Sequence, residues 1–135
     1  MTNTHLHQEL RDWADGRSDD VAAVELLIGH GVWLERKDFA PYIERVLDLS
    51  GRPITVIDWE GLSEVRTSGL TASTSEVAIL DTALSLATGK PISLAEVLGL
   101  DSTNTAAVAT ALVRAAQHTD TVTVTLADPD RPPSV

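Results

Sequence analysis

Cysteine is absent from all 135 residues. That single absence removes disulfide scaffolds, thiolate zinc sites, iron–sulfur clusters and thiol nucleophiles together. It also fits a reducing compartment. Long apolar runs are missing as well. The stretch from Val21 to Ile28 is interrupted by Glu25 and is far too short to cross a bilayer. The opening residues, Met1-Thr2-Asn3-Thr4-His5-Leu6-His7, carry neither the basic region nor the apolar run of a secretory signal. A cytoplasmic location is therefore expected. Basic residues are in short supply, ten against twenty acids, for a net charge of −10. Such a field repels phosphate backbones and anionic lipid surfaces, so neither nucleic acid nor membrane is expected as a partner. No block of five or six like charges marks an acidic tail or a nucleic-acid mimic. The acidity serves solubility, or it presents a face to a basic partner.

What the chain does have is helical periodicity. Its length suits one domain, residues 1–127, that can bury a core without a metal. Leu6, Leu10 and Trp13 recur at helical spacing, and Gly16 ends that segment. Ser18 is placed to cap a second helix, with Asp19 and Asp20 in its first turn. The apolar face of that helix is Val21, Val24, Leu27, Ile28 and Val32, and Gly29 and Gly31 flank His30 at its end. A third helix is expected from Asp38, with Pro41 tolerated in its first turn and Phe39, Ile43, Val46 and Leu47 buried. Ile54-Thr55-Val56-Ile57 is β-branched, follows Gly51-Arg52-Pro53, and reads as a strand. Trp59, Leu62 and Val65 then return to helical spacing.

The second half carries the firmest boundaries. Ser73 and Glu76 form a capping box, and the helix behind them bears Val77, Leu80, Ala83, Leu84 and Ala87 before stopping at Gly89, with Pro91 beyond. Ser93 and Glu96 predict a second capping box on a very short helix closed by Gly99. Asp101 or Ser102 then caps an alanine-rich helix to about Gln117 that buries Val108, Ala111, Leu112 and Ala115. Thr121 to Leu126 alternates strictly, with Val122, Val124 and Leu126 on one side, as a half-exposed strand does. Residues 128–135 are proline-rich and read as a flexible tail. The expected fold is mainly α: about six helices with a minor two-stranded β element from residues 54–57 and 121–126. Two strands alone are barely stable, so these pair with each other against a helix, or one of them pairs with a second copy.

Motifs that carry chemistry are sparse. Residues 92–117 have the outline of a helix-turn-helix, with Ala95 where the first helix must be small and Gly99 in the turn. Thr105 stands where an apolar anchor usually sits. The second helix opens on Ser102, Thr103, Asn104 and Thr105 and has Arg114 as its only cation, which is poor equipment for phosphates. His5, His7, His30 and His118 form no pair at metal-ligand spacing, so neither metal nor cofactor is expected. Asp58 and Glu60, flanking Trp59 at a strand end, are the best carboxylate pair for an enzyme. Asp58 as the cap of the following turn is the competing reading. His30, Asp58 and Glu60 are the candidate polar site. No serine sits in a glycine-flanked elbow, and no glycine-rich phosphate loop follows a strand. Trp33, Phe39 and Tyr42 fall close together, either as core anchors or as a contact surface. Together with Val122 and Val124 they form the candidate interaction surface.

Two stretches carry a resemblance. One runs from Glu25-Leu26-Leu27-Ile28-Gly29-His30-Gly31 through Trp33-Leu34, Asp38-Phe39 and Ile57-Asp58-Trp59. The other runs from Ser73-Thr74-Ser75-Glu76-Val77 through Gly89-Lys90-Pro91 to Asp101-Ser102-Thr103-Asn104. Both resemble a recurrent segment of small uncharacterised actinobacterial proteins of unknown function. The resemblance implies a helical fold and a bacterial source, and no activity. By elimination, the leading expectation is a non-catalytic protein that binds another protein, with a second copy of itself as one candidate. A helix-turn-helix regulator is the alternative, and an enzyme using Asp58 and Glu60 the second alternative.

Overall fold

The computed structural model describes residues 4–127, so the expected tail over 128–135 lies outside the described residues. Among the described residues the chain forms six helices and one antiparallel hairpin. In order these are α1 (Thr4–Ala14), α2 (Ser18–His30), 3-10 turns at Trp33–Glu35 and Ala40–Tyr42, β1 (Ile43–Leu47), β2 (Pro53–Ile57), α3 (Trp59–Val65), α4 (Thr74–Thr88), α5 (Leu94–Leu98) and α6 (Ser102–Ala115). The protein is mainly α with a minor β element.

Helix α2 is the centre. It buries Ala22, Ala23, Val24, Leu26 and Leu27, more than the single face its spacing suggested, because α1, α4 and α6 all pack against it. Two adjacent alanines let a neighbouring helix come close, while the larger residues fill the remaining space. Val108 and Ala111 of α6 and Ile79, Leu80, Ala83 and Leu84 of α4 join the same core. Arg17, not Ser18, is the residue before α2, and no side chain caps it. Ser18 lies in the first turn, and Arg17 instead bonds the Trp13 carbonyl and lies over the Trp13 ring. Gly31, at φ 74°, ends the helix by bonding back to the Leu27 carbonyl.

The expected helix from Asp38 does not form. A 3-10 turn at Ala40–Tyr42 leads directly into β1, which pairs with β2 in the register Ile43 with Ile57, Arg45 with Thr55 and Leu47 with Pro53. The reason lies in the turn. Asp48 Oδ1 accepts from the backbone of Ser50 and Arg52 and from the Ser50 hydroxyl, and Gly51 takes φ 84°. This closes the hairpin, and β-branched Ile43 and Val46 fit a strand better than a helix. A tertiary partner, β2, outweighed the helical spacing.

Residues 121–126 are also not a strand. Helix α6 ends in a Schellman turn, with the His118 amide bonding Val113 and the Gln117 amide bonding Arg114. Gln117 sits at φ 64°, and the chain leaves the body with Val122 and Leu126 exposed and Val124 half-buried. It pairs with neither strand of the hairpin. Leu112 is exposed rather than buried, since α6 turns Val108 and Ala111 toward the core. His5 and His7 lie within α1: His7 is buried and His5 Nε2 stands 3.2 Å from Glu9.

The caps of α4 and α6 form as expected. Ser73 and Glu76 form the complete box on α4, and Gly89 ends that helix at φ 78°. Asp101 accepts from Asn104 to cap α6. Removing a fully buried side chain from α2 should therefore matter far more than trimming the hairpin turn. Leu27→Ala is expected to lower stability by about 3 kcal/mol, and Leu49→Ala by under about 0.5 kcal/mol. Urea denaturation measures both, and equal effects would mean that α2 is not the core.

Candidate functional site

The aromatic cluster resolves into core. Trp33 and Phe39 are fully buried, with ring centroids 6.2 Å apart. The Trp33 indole N–H donates to the Glu76 carbonyl at 2.8 Å, tying the segment after α2 to the first turn of α4. Arg36 lies over the Trp33 ring at 4.5 Å and bonds Asp38 and the Thr71 carbonyl. A surface role for Trp33 and Phe39 is thereby removed, and only Tyr42 is half-exposed. The polar trio divides too. His30 ends α2, where burial holds its imidazole below the usual value against the opposing pull of Glu76 and Asp101. Asp58 and Glu60 stand beyond β2, beside Glu44.

Asp58 does what a cap does. Its Oδ1 accepts from Gly61 N at 3.0 Å, and its own amide donates to the Tyr42 carbonyl, extending the hairpin ladder by one bond. Glu60 in the first turn is exposed and complements the helix dipole. Among the described residues, no group of three or more His, Asp or Glu could hold a metal ion.

The hairpin gives these carboxylates a different setting. Side chains alternate along a strand, so its two faces differ. On the inner face, Thr55 and Ile57 are buried, and Glu9 of α1 accepts from the Thr55 hydroxyl at 2.6 Å and from Arg45 at 2.7 Å. On the outer face, Val46 opposes Ile54 and Glu44 opposes Val56. Val46 is exposed there, and Leu47 and Leu49 are exposed at the tip. The outer face runs onto a shallow shelf lined by Glu44, Val56, Asp58, Glu60 and Thr88. The second edge of β1 has no partner strand among the described residues. Apolar β-branched residues, an open edge and three carboxylates thus meet in one place. Sequence reasoning missed this surface because it placed Ile43, Val46 and Leu47 on a buried helix face. The β-branched Ile43 and Val46, followed by the turn residues Asp48 and Gly51, were the available signal.

The helix-turn-helix outline is realised only as α5, five residues long, followed by α6. The outer first turn of α6 carries the Asp101 carboxylate and no cation. Arg114 faces a crevice that it shares with Arg11 and Glu25. The second capping box is incomplete: Ser93 Oγ accepts from Ala95 N, but Glu96 makes no return bond and instead lines a cleft with Asp81. Comparison with protein-family models, with curated proteins and with solved structures gives no match for this chain.

The cap predicts a specific energetic coupling. A Cβ at Gly61 would lie 2.4 Å from Asp58 Oδ2 and 3.2 Å from the Tyr42 ring. Gly61→Ala is therefore expected to destabilise, although alanine is the better helix former. Asp58→Ala should cost about 1 kcal/mol, and the alanine at 61 should do less harm in that background. A thermal-denaturation double-mutant cycle reads this coupling. Additive effects would deny that Asp58 acts through its cap.

Proposed function

We propose that this chain is a non-catalytic, cytoplasmic protein-binding module whose docking surface is the outer face and free edge of the β1–β2 hairpin. The observation that supports it most is β1 itself, a strand paired on one side only and exposed from Glu44 through Leu47. An open strand edge offers backbone hydrogen bonds to an extended peptide, while side chains on the adjoining face set specificity.

Charge argues for the kind of partner. Six of the seven arginines among the described residues, Arg11, Arg17, Arg36, Arg45, Arg52 and Arg66, already stand in ion pairs with carboxylates. The field outside the protein is left to the remaining acids, including Glu44 and Glu60 beside the apolar patch. A partner segment that is extended, apolar on one side and basic on the other complements this surface, and opposite charge speeds its arrival. Among the described residues no helix is long and apolar enough to cross a membrane, and the acidic field disfavours nucleic acid.

Val46→Glu combined with Leu47→Glu places two charges on the exposed patch and leaves the buried residues untouched. Proteins captured on the immobilised wild type should be lost from this variant and released by raised salt. Light scattering during size exclusion reports whether the partner is a second copy. If wild type and variant retain the same proteins, the hairpin is not the docking site.

A further inference from the structure

Helix α5 is the least anchored helix of the fold. None of its residues is buried, and Leu94 and Leu98 are exposed. Only Val97 and the following Leu100 reach the core cluster. Its position is set by a polar cleft of about 300 Å³ between α3, α4 and α5, lined by Ser63, Arg66, Asp81, Ser85, Lys90 and Glu96 among others. Arg66 makes a two-pronged pair with Asp81, at 2.6 and 3.0 Å. Glu96 lines the same cleft, so two carboxyl groups share it with one guanidinium.

Two carboxylates sharing one cleft repel, and the Arg66 fork is committed to Asp81. As a carboxylate, Glu96 has its Oε2 covered by protein and bonded to no donor, a costly arrangement for a charged oxygen. As a carboxylic acid it gains a donor and can bond the Asp81 carboxylate, as paired acids do. We propose that Asp81 and Glu96 share a proton that latches α5 onto α4, so that rising pH releases α5 and uncovers the cleft with Val97 and Leu100.

The charged groups lining this cleft are Asp81 from α4, Arg66 at the end of α3 and Lys90 after α4. Burial raises the Glu96 pKa above the usual carboxylate range, Asp81 adds to the rise, and Arg66 opposes it. The sign follows. A group whose pKa is higher docked than free stabilises the docked state fully at low pH. That stabilisation is lost as pH climbs from the ordinary glutamate value through the docked one. One proton released per opening means that the opening constant of α5 grows by up to about tenfold per pH unit across that window.

The latch is independent of the hairpin reading, and its test uses no partner. Carboxyl-carbon NMR follows the titration of Glu96, while hydrogen-exchange protection, corrected for intrinsic rates, follows the α5 amides. The wild type should show Glu96 titrating high and α5 protection falling across the same range. Glu96→Gln keeps a donor for Asp81 without a titrating proton and leaves the Arg66–Asp81 pair in place, so α5 should stay protected independently of pH. Asp81→Asn should bring the Glu96 titration down. An ordinary Glu96 titration, or an equal pH dependence of α5 in Glu96→Gln, would overturn the proposal.

Discussion

Desolvation of α2 on three sides is the constraint from which the other arrangements follow. A helix with Ala22, Ala23, Val24, Leu26 and Leu27 all buried cannot rest on a single neighbour. It needs α1, α4 and α6 around it, and the connections must deliver them. The link after α2 does so through Trp33. Its ring fills the space beside Phe39, and its N–H would be stranded in the core without the Glu76 carbonyl. That bond fixes the first turn of α4, which the Ser73–Glu76 box has already prepared. A hydrophobic demand in α2 thus becomes a positional demand on α4, met by one indole.

The sequence discloses local events better than distant ones. Caps and stops depend on neighbours a few residues away, and most were legible: Asp58, Ser73 and Asp101 as caps, Gly31 and Gly89 as stops. Where a residue had a remote competitor, local reasoning failed. Glu96 suits a capping box, but Asp81 lies within reach across the cleft. Ile43, Val46 and Leu47 suit a helix face, but Asp48 and Gly51 close a hairpin that supplies β2 as partner. Thr121 to Leu126 suits a strand in every local respect and yet pairs with neither strand of the hairpin. The hairpin surface was illegible for the same reason, because it exists only once β1 is a strand. Asp58 and Glu60 stood out in the sequence, and their neighbour Glu44 did not.

Charge is arranged with the same economy. The arginines are mostly tied to nearby carboxylates, some within three or four residues and others, as Arg45 to Glu9 and Arg66 to Asp81, across the fold. Exposed pairs of this kind add little stability each. Their larger effect is to neutralise cations one by one, so that the excess of acid is what a passing molecule meets. That residual field is the property of the surface most relevant to recognition.

Strand β1 and helix α5 have no buried residue, each is held by a carboxyl group, and the two groups act in opposite protonation states. Glu9 grips the hairpin as an anion: its bonds to Thr55 and Arg45 hold its pKa below the usual value. This support is complete above the ordinary glutamate range and is lost as pH falls through the lowered value. Glu96 holds α5 as an acid, and its support is lost as pH rises. Acidification therefore loosens the inner face of the hairpin while fastening α5, and alkalinisation does the reverse. Since local opening begins where burial is thinnest, the chain carries two weakly held surfaces on one rigid core, each released from an opposite side of the pH scale.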